Sequence, residues 1–275
     1  AEYPELPDSE RKAATLLKVA EALAMDLDNG EQVTRADLTE IMTEGFGASD
    51  ASGVWSLRDA YEACEVAQVL LARREMTASP AATGTDLVPR IAAAEARMKL
   101  LPTQTFRSEG QIARQQFSTP MPIALLAATL ADPRPDDICL EPSAGTGLLA
   151  VHAANVGARL LLNEIDPGRA ALLERIFTGT PVSRHDAETL QHRLVDRPSL
   201  VLMNPPYSRS ETLGEDTHAG ARHLLAALQV LPPGGRCVAV MPAWFSPDSS
   251  GRDGYAAVCA LQPPRFDLLL DGAFY

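Results

Sequence analysis

Hydrophobic residues in the first hundred positions recur every three or four residues, which is the spacing of amphipathic helices. Capping residues precede these stripes, and glycine or asparagine follows them. The pattern predicts helices between Asp8-Ser9 and Asn29-Gly30, over Thr34–Glu44, from Ser56 to about Arg74 and over Pro89–Leu101. No strand-like alternation occurs in this region, and residues 77–88 have a linker composition. We therefore expect a helical accessory domain over residues 1–110.

After residue 120, short apolar runs of the β type alternate with helical patterns. The predicted strands are Ile138–Leu140, Leu160–Asn163, Pro181–Ser183, Ser199–Met203, Arg236–Met241 and Phe266–Leu270. The predicted helices are Leu148–Val156, Gly168–Phe177, His218–Val230 and one after Gly251. Strands that alternate with helices form a parallel sheet covered on both faces. The fold class is therefore α/β, with a second domain over residues 111–275. Ligands of such sheets bind at the carboxyl ends of the strands, where the strand order reverses.

The composition is that of an ordinary globular chain. It has 275 residues, of which 46% are hydrophobic and 22% charged, and this excludes a wholly disordered chain. The longest apolar run, Met121–Ala131, is shorter than the roughly 20 residues that a membrane span needs. Four widely spaced cysteines fit a reducing compartment, and the acidic amino terminus lacks the layout of a signal peptide. We expect a cytoplasmic protein without a membrane partner or a bound metal.

The charge distribution opposes autonomous binding of nucleic acid. The formal net charge is −12, and the isoelectric point is near 4.9. Residues 1–110 carry 19 acidic and 11 basic side chains, so most of the excess lies there. A basic surface is the usual footprint of a nucleic-acid-binding domain. Arg114, Arg209 and Arg222 are candidates for phosphate contacts, although solvated surface arginines explain them equally well.

A glycine-containing loop follows the first predicted strand, in the segment Glu141-Pro-Ser-Ala-Gly145-Thr-Gly147. Glycines between a strand and a helix allow a tight turn and a close approach of a ligand to the backbone. Neither the third glycine of a dinucleotide-binding motif nor the Gly-Lys-Ser/Thr of a P-loop is present, so a phosphate cradle is disfavoured. The carboxylate of Glu141 would repel phosphate and suits a cationic amino group. The alternative is an ordinary β–α turn.

Acidic residues follow the second and third predicted strands. Glu164 lies 19 residues after Gly145 (164 − 145 = 19), a position from which a carboxylate can accept both ribose hydroxyls of an adenosine. Asp186 can accept a hydrogen bond from an adenine amino group. Each could instead be a helix-capping or solvated acid, and for Asp186 capping is compatible with ligand binding.

The fourth predicted strand leads directly into Asn204-Pro205-Pro206-Tyr207. Two prolines stiffen the backbone and remove two N–H donors, which leaves carbonyl oxygens free to accept. The Asn204 side-chain oxygen and the Pro205 carbonyl can then accept both hydrogens of a planar exocyclic amine and orient its lone pair. Tyr207 offers a flat face for a nucleobase, and such stacking contributes about 1–3 kcal/mol. The alternative is a simple Asn-Pro turn.

These motifs, in this order, resemble the S-adenosylmethionine-dependent DNA amino-methyltransferases of the adenine-N6 type. The resemblance covers residues 110–275 and includes Gln115-Gln-Phe117-Ser118-Thr119-Pro120 ahead of the first strand. Met241–Phe245 and Asp271–Phe274 are similar to later motifs of the family. The chain is also similar to the methylase region of phage and plasmid methylase–helicase fusions. A further strand and a DNA-reading domain usually follow in this family, so we expect that the chain is part of a longer protein.

The resemblance implies a Rossmann-like class I methyltransferase fold, S-adenosylmethionine as cofactor and adenine-containing DNA as partner. The amine of a flipped base would attack the sulfonium methyl in line, without a covalent enzyme intermediate. The implied catalytic residues are Asn204, Pro205, Pro206 and Tyr207, with Tyr207 and Phe274 stacking on the base. The implied cofactor-binding residues are Phe117, Ser118, Thr119, Pro120, Glu141, Pro142, Ala144, Gly145, Gly147, Glu164, Ile165, Asp186 and Asn204.

Other substrates of the same chemistry stay open. Cytosine N4 presents a similar amine, and related strand-end motifs act on RNA guanine or on a protein glutamine. A non-catalytic module that binds the cofactor and serves a larger assembly is the alternative from another functional class.

Overall fold

The computed structural model of the chain describes residues 8–78, 87–103, 118–207, 209–210, 214–215 and 218–270. The helices are α1 (Asp8–Asp28), α2 (Arg35–Phe46), α3 (Leu57–Ala78), α4 (Leu87–Met98), α5 (Met121–Ala131), α6 (Ala150–Asn155), α7 (Pro167–Ile176), α8 (Ala219–Val230) and α9 (Arg252–Leu261). The strands are β1 (Ile138–Glu141), β2 (Arg159–Asn163), β3 (Val182–Ser183), β4 (Leu200–Met203), β5 (Arg209–Ser210), β6 (Gly214–Glu215) and β7 (Arg236–Ala239). Short 3-10 helices cover Asp50–Ser52 and Ala187–His192.

Local capping chemistry sets the ends of α2. The Thr34 hydroxyl accepts a hydrogen bond from the Asp37 backbone N–H, and the Asp37 carboxylate accepts one from the Thr34 N–H. This reciprocal capping box satisfies donors that the first helical turn leaves free. At the other end Gly47 adopts a left-handed conformation with φ 65° and donates to the Glu44 carbonyl. Helix signals in the sequence were therefore reliable in this region.

Five strands form a parallel sheet in the order β3-β2-β1-β4-β7. From β1 the chain continues to β2 and β3 on one side, and it then returns to place β4 and β7 on the other side of β1. The order of the strands therefore reverses between β1 and β4. This doubly wound arrangement confirms the α/β, Rossmann-like fold that the sequence predicted. A small antiparallel pair, β5 with β6, lies outside this sheet and was not predicted.

Alternate strand residues point to opposite faces of the sheet and enter two hydrophobic clusters. Cys139, Leu160, Leu162, Leu200 and Leu202 belong to the larger cluster. Leu140, Val201 and Met203 belong to the smaller one, together with residues of α8 and α9. Because both faces are covered, β4 is completely buried and reads as an unbroken apolar run.

The amino-terminal helices pack on the first of these faces. Helix α1 contacts α3 and α7, and the larger cluster includes Leu23 of α1 and Val66 of α3 as well as strand residues. The division of the chain near residue 110 stays a prediction, since residues 104–117 lie outside the described part. What the structure adds is a continuous apolar interface between the two regions.

One predicted strand is wrong. Residues 265–270 form no strand, and Phe266 and Leu269 are 59% and 79% exposed. An apolar β-type run becomes a strand only when a neighbouring backbone pairs with it. Strand β7, at the edge of the sheet, ends at Ala239 rather than Met241, and no described segment pairs with its outer side. Within the described residues, no helix has the length and apolarity required to cross a membrane.

We expect Leu23→Ala to lower the free energy of unfolding of the whole described fold by about 2–5 kcal/mol, because Leu23 is fully buried in the larger cluster. Met25→Ala on the same helix, where Met25 is 60% exposed, should change it by less than about 0.5 kcal/mol. Urea titration followed by circular dichroism and tryptophan fluorescence measures both. If the amino-terminal helices unfolded in a separate transition at lower urea, and Leu23→Ala shifted only that transition, a core shared by the helices and the sheet would be contradicted.

Candidate functional site

The candidate site lies where the strand order reverses. Strand β1 pairs in parallel with both β2 and β4, so the carboxyl ends of the three strands share one edge of the sheet. Residues 141–147 follow β1, residues 164–166 follow β2, and residues 204–207 follow β4. The glycine-containing loop and Asn204-Pro-Pro-Tyr207 therefore follow adjacent parallel strands and leave the sheet from the same edge. The roles that the sequence predicts for their residues stay predictions.

Asn163, the last residue of β2, fixes the glycine-containing loop. Its carbonyl accepts from the Ala144 N–H at 2.9 Å, and its side-chain Nδ2 donates to the Pro142 and His185 carbonyls, both at 2.9 Å. Its Oδ1 accepts from the Ser183 hydroxyl and from the His185 N–H. A buried amide with all its bonds satisfied has one orientation, so it sets the loops after β1 and β3 together.

Glu164 caps the same loop from the end of β2. Its Oε2 accepts from the Gly145 N–H at 2.8 Å, and its Oε1 accepts from the Asp166 N–H at 2.9 Å. Burial raises the pKa of the Glu164 carboxyl, against the opposing effect of Arg169 and of these two N–H groups. Each oxygen retains a second lone pair, which is the capacity that ribose hydroxyls would use. Ile165 next to it is half-buried.

Glu141 carries a buried acceptor with no partner. The residue is 3% exposed, and its Oε2 has no hydrogen bond. Burial raises the pKa of the carboxyl well above its usual range; the Ala150 N–H opposes this shift, and the nearby Glu164 adds to it. An unsatisfied buried carboxyl is costly, so its presence at a strand end suits a cationic ligand group. The free acceptor therefore fits the cationic amino group of S-adenosylmethionine.

Packing explains why residue 147 is a glycine, and its predicted contact with the cofactor stays a prediction. Its φ is +89°, and a Cβ built on it would lie 2.5 Å from Phe177 Cε2 and 2.9 Å from Cζ. The close approach that requires glycine here is to Phe177 at the end of α7. Gly145, with φ +56°, is the open position: a Cβ there would meet only Arg169 Nη1, at 3.8 Å.

Asp186 is the N-cap of the 3-10 helix after β3, and its carboxylate accepts from the Glu188 N–H at 2.9 Å. The capping alternative is therefore correct, and a further role toward adenine stays a prediction. Arg222, a candidate for phosphate contact, instead forms two hydrogen bonds to Glu188 at 2.9 and 3.0 Å. That contact neutralises its charge within the protein.

The Asn204 side chain is held on both sides. Its Nδ2 donates to the Thr119 hydroxyl at 3.0 Å, and its Oδ1 accepts from the Tyr207 hydroxyl. Pro205 is buried, and Gly220, the second residue of α8, lies against this turn. A Cβ on Gly220 would lie 3.4 Å from the Pro206 carbonyl oxygen. The tetrapeptide is therefore a rigid turn whose asparagine amide has one preferred orientation.

Of the segment before α5, Ser118, Thr119 and Pro120 are described, and Pro120 precedes the first turn of that helix. Phe117 and Phe274 lie outside the described residues, so their predicted contacts with cofactor and base stay predictions. Arg114 and the side chain of Arg209 are likewise outside the described part of the structure, so their predicted phosphate contacts stay predictions. Among the described residues, no cluster of three or more His, Cys, Asp or Glu side chains could hold a metal ion.

Charged residues of α3 at the edge of the site were not predicted. Arg58 donates to Asp166 at 3.0 Å, and Glu62 accepts from Arg169 Nε at 2.7 Å. Burial works to raise the pKa of the Asp166 carboxyl, but Arg58 and the Arg169 N–H outweigh it and lower the pKa to about 2. Helical charges are usually solvated, so the sequence carries no signal for these pairs. The role of Asn163 was also not predicted, but the sequence does carry a signal for it, because a polar residue ends an otherwise apolar strand.

No family model matches the chain. A stretch of 79 residues is 37% identical to Ribosomal RNA small subunit methyltransferase A of Thermotoga neapolitana and covers 28% of this chain and 30% of that protein. Among solved structures, TrmN from Thermus thermophilus has 24% identity and a TM-score of 0.40, over 57% of this chain and 50% of its own. A Pyrococcus horikoshii protein assigned as an RNA methyltransferase has 22% identity and a TM-score of 0.41, over 57% and 74%.

We expect Gly147→Ala to destabilise the protein by about 1–3 kcal/mol more than Gly179→Ala, since a Cβ at residue 147 collides with Phe177. Gly179 is the matched control because it has a similar φ of +86° with no atom within 4 Å. The two variants therefore share the backbone strain and differ in packing. Chemical denaturation compares them, and equal losses of stability would show that the contact with Phe177 is unimportant.

Proposed function

We propose that this protein is an S-adenosylmethionine-dependent methyltransferase that acts on an exocyclic amine of a nucleic-acid base. The observation that carries the proposal is the adjacency of two loops across the switch point: the glycine-containing loop after β1 and Asn204-Pro-Pro-Tyr207 after β4. One loop suits an adenosine-bearing cation, and the other suits a planar amine. The partial relative named as a ribosomal RNA methyltransferase supports the reaction class.

The cofactor would be held by the residues at the ends of β1 and β2, with Glu141 toward its amino group and Glu164 toward its ribose. When bound, it supplies an electrophilic methyl group on a sulfonium. Asp186 is available to the adenine amine. Ser118 and Thr119 would border the methionine end, as the resemblance to amino-methyltransferases implies.

The residues after β4 would activate the acceptor. Asn204 Oδ1 and the Pro205 carbonyl would accept the two amine hydrogens and so turn the nitrogen lone pair toward the methyl group. Thr119 and Tyr207 keep the Asn204 amide in one orientation before the substrate arrives, which removes part of the entropic barrier. A base inside a duplex cannot reach such a site, so the substrate base must be flipped or unpaired.

Adenine N6 in DNA is the proposed target, because the order of the motifs, including the Ser118-Thr119-Pro120 segment, resembles enzymes of that type. RNA is the second candidate, and the 79-residue identity to a ribosomal RNA methyltransferase favours it. Both substrates present the same planar amine to Asn204. The acidic net charge of −12 makes either polyanion a weak partner unless other surfaces contribute.

Wild-type protein should transfer tritiated methyl groups from S-adenosylmethionine to nucleic acid, and Asn204→Ala should lower the rate about 10²–10³-fold, since it removes an acceptor that orients the amine. Asn29→Ala, a change of the same kind at an exposed helix end, is the control and should keep the wild-type rate. Unchanged transfer by Asn204→Ala would refute the role of this residue.

The same assay separates the substrates. Unmethylated duplex DNA, single-stranded DNA and small-subunit ribosomal RNA are offered in parallel, and nucleoside digestion of each product identifies the methylated base. N6-methyladenine in DNA supports the proposed target, and label confined to RNA selects the second candidate. Cofactor binding without label in any nucleic acid would contradict the proposed activity.

A further inference from the structure

Helix α3 presents a polar stripe to the edge of the candidate site. Arg58, Glu62 and Glu65 are spaced by four and three residues, so they lie on one face of the helix. Their partners across the interface are Asp166, Arg169 and Thr146 respectively. All three partners belong to the segments after β1 and β2 that border the crevice. A stripe of charges is usually solvated, and this one is instead matched group by group to the site.

Glu65 differs from the other two because it reaches two separate segments of the site. Its Oε2 accepts from the Thr146 hydroxyl at 3.0 Å, and its carboxylate also accepts from the Ser118 hydroxyl. Thr146 stands between the two glycines of the loop and is buried. Ser118 directly precedes Thr119, whose hydroxyl orients the Asn204 amide. One carboxylate therefore joins the loop after β1 to the segment that supports the asparagine.

The electrostatic setting of Glu65 indicates which property of the side chain matters. Burial raises the pKa of its carboxyl and the neighbouring Glu62 raises it further, whereas Arg169 and the two hydroxyls lower it. The positive charge of Arg169 is already paired with Glu62 at 2.7 Å. A second negative charge is thus not required for neutrality, and the reach of the side chain to two hydroxyls is its distinctive contribution.

We infer that Glu65 is a positioning residue of the cofactor site, through which helix α3 holds the Ser118 and Thr146 segments at the separation that S-adenosylmethionine binding requires. The inference rests on the proposed function and extends it to the amino-terminal helices. It gives those helices a part in the reaction, since Glu65 of α3 bonds both the Ser118 segment and the Thr146 segment.

The test compares three variants of the full chain by calorimetric titration with S-adenosylmethionine. Glu65→Gln keeps the length of the side chain and can bond both hydroxyls, because its amide can accept from one and donate to the other. Glu65→Asp keeps the charge but is one methylene shorter, and Glu65→Ala removes both. We expect Glu65→Asp and Glu65→Ala to raise the Kd about tenfold or more and Glu65→Gln to raise it less than threefold.

Glu75→Gln is the matched control. Glu75 lies on the same helix and pairs with Arg97 of α4 at the surface, away from the site, so its Kd should equal that of the wild type. Circular dichroism verifies that each variant is folded. If Glu65→Ala does not fold, the difference in Kd between Glu65→Asp and Glu65→Gln still tests the inference, since both variants retain a polar side chain.

A second measurement separates positioning from general loosening of the fold. With saturating S-adenosylmethionine, the KM for the methyl acceptor should be unchanged in Glu65→Asp. A loosened fold would instead raise both this KM and the Kd for S-adenosylmethionine. Any other ranking of the three Kd values, or a raised acceptor KM, overturns the inference. If the wild-type protein binds no S-adenosylmethionine, the proposed function itself is overturned. If the wild type binds it and Glu65→Asp has the same Kd, only the inference about Glu65 is overturned.

Discussion

The parallel pairing of β1 with β4 is the constraint on which the rest of the structure depends. These strands are adjacent in the sheet but separated by about sixty residues of sequence, and the chain leaves them in opposite directions across the sheet. In a doubly wound sheet, ligands bind at the carboxyl ends of the strands where the order reverses. The register aligns Leu140 with Val201, so the loop after Glu141 and the turn at Asn204 leave the sheet from the same edge. The proposed chemistry needs this juxtaposition.

Buried polar groups keep the crevice in shape. Asn163 joins the loops after β1 and β3, Glu164 holds the Gly145 N–H, and Thr119 holds the Asn204 amide. Such groups are expensive to bury unless they are bonded, so a satisfied network disfavours alternative arrangements of the same loops. The exception is Glu141, whose free oxygen marks the place where the site lacks a partner. A bonded network beside an unsatisfied carboxyl oxygen is what a preorganised binding site requires.

The amino-terminal helices extend this network beyond the sheet domain. Their apolar side chains and those of one face of the sheet form a single hydrophobic cluster. The polar stripe of α3 contacts the candidate site through the bonds of Arg58 to Asp166 and of Glu65 to Thr146. Buried ion pairs such as that between Glu62 and Arg169 add little net stability, but the loss of one partner leaves a costly charge. They therefore specify how α3 sits on α7 more than they strengthen the contact. A helical region with no motif of its own thereby becomes part of the environment of the candidate site.

The sequence by itself determined the local elements and the strand-end motifs. Periodicity, capping residues and apolar runs located eight of the nine α-helices of the described residues to within a few positions, together with the five strands of the parallel sheet. The remaining helix, α5, was noted only as an apolar run. The same patterns also located the polar residues at the ends of β1, β2 and β4, because these signals depend on neighbours in the chain. Only the tertiary structure decided that Phe266–Leu270 pairs with no strand among the described residues, that Phe177 leaves no room for a side chain at Gly147, and that Glu65 bonds Thr146. Those outcomes depend on contacts between segments far apart in sequence, for which a single chain carries no local pattern.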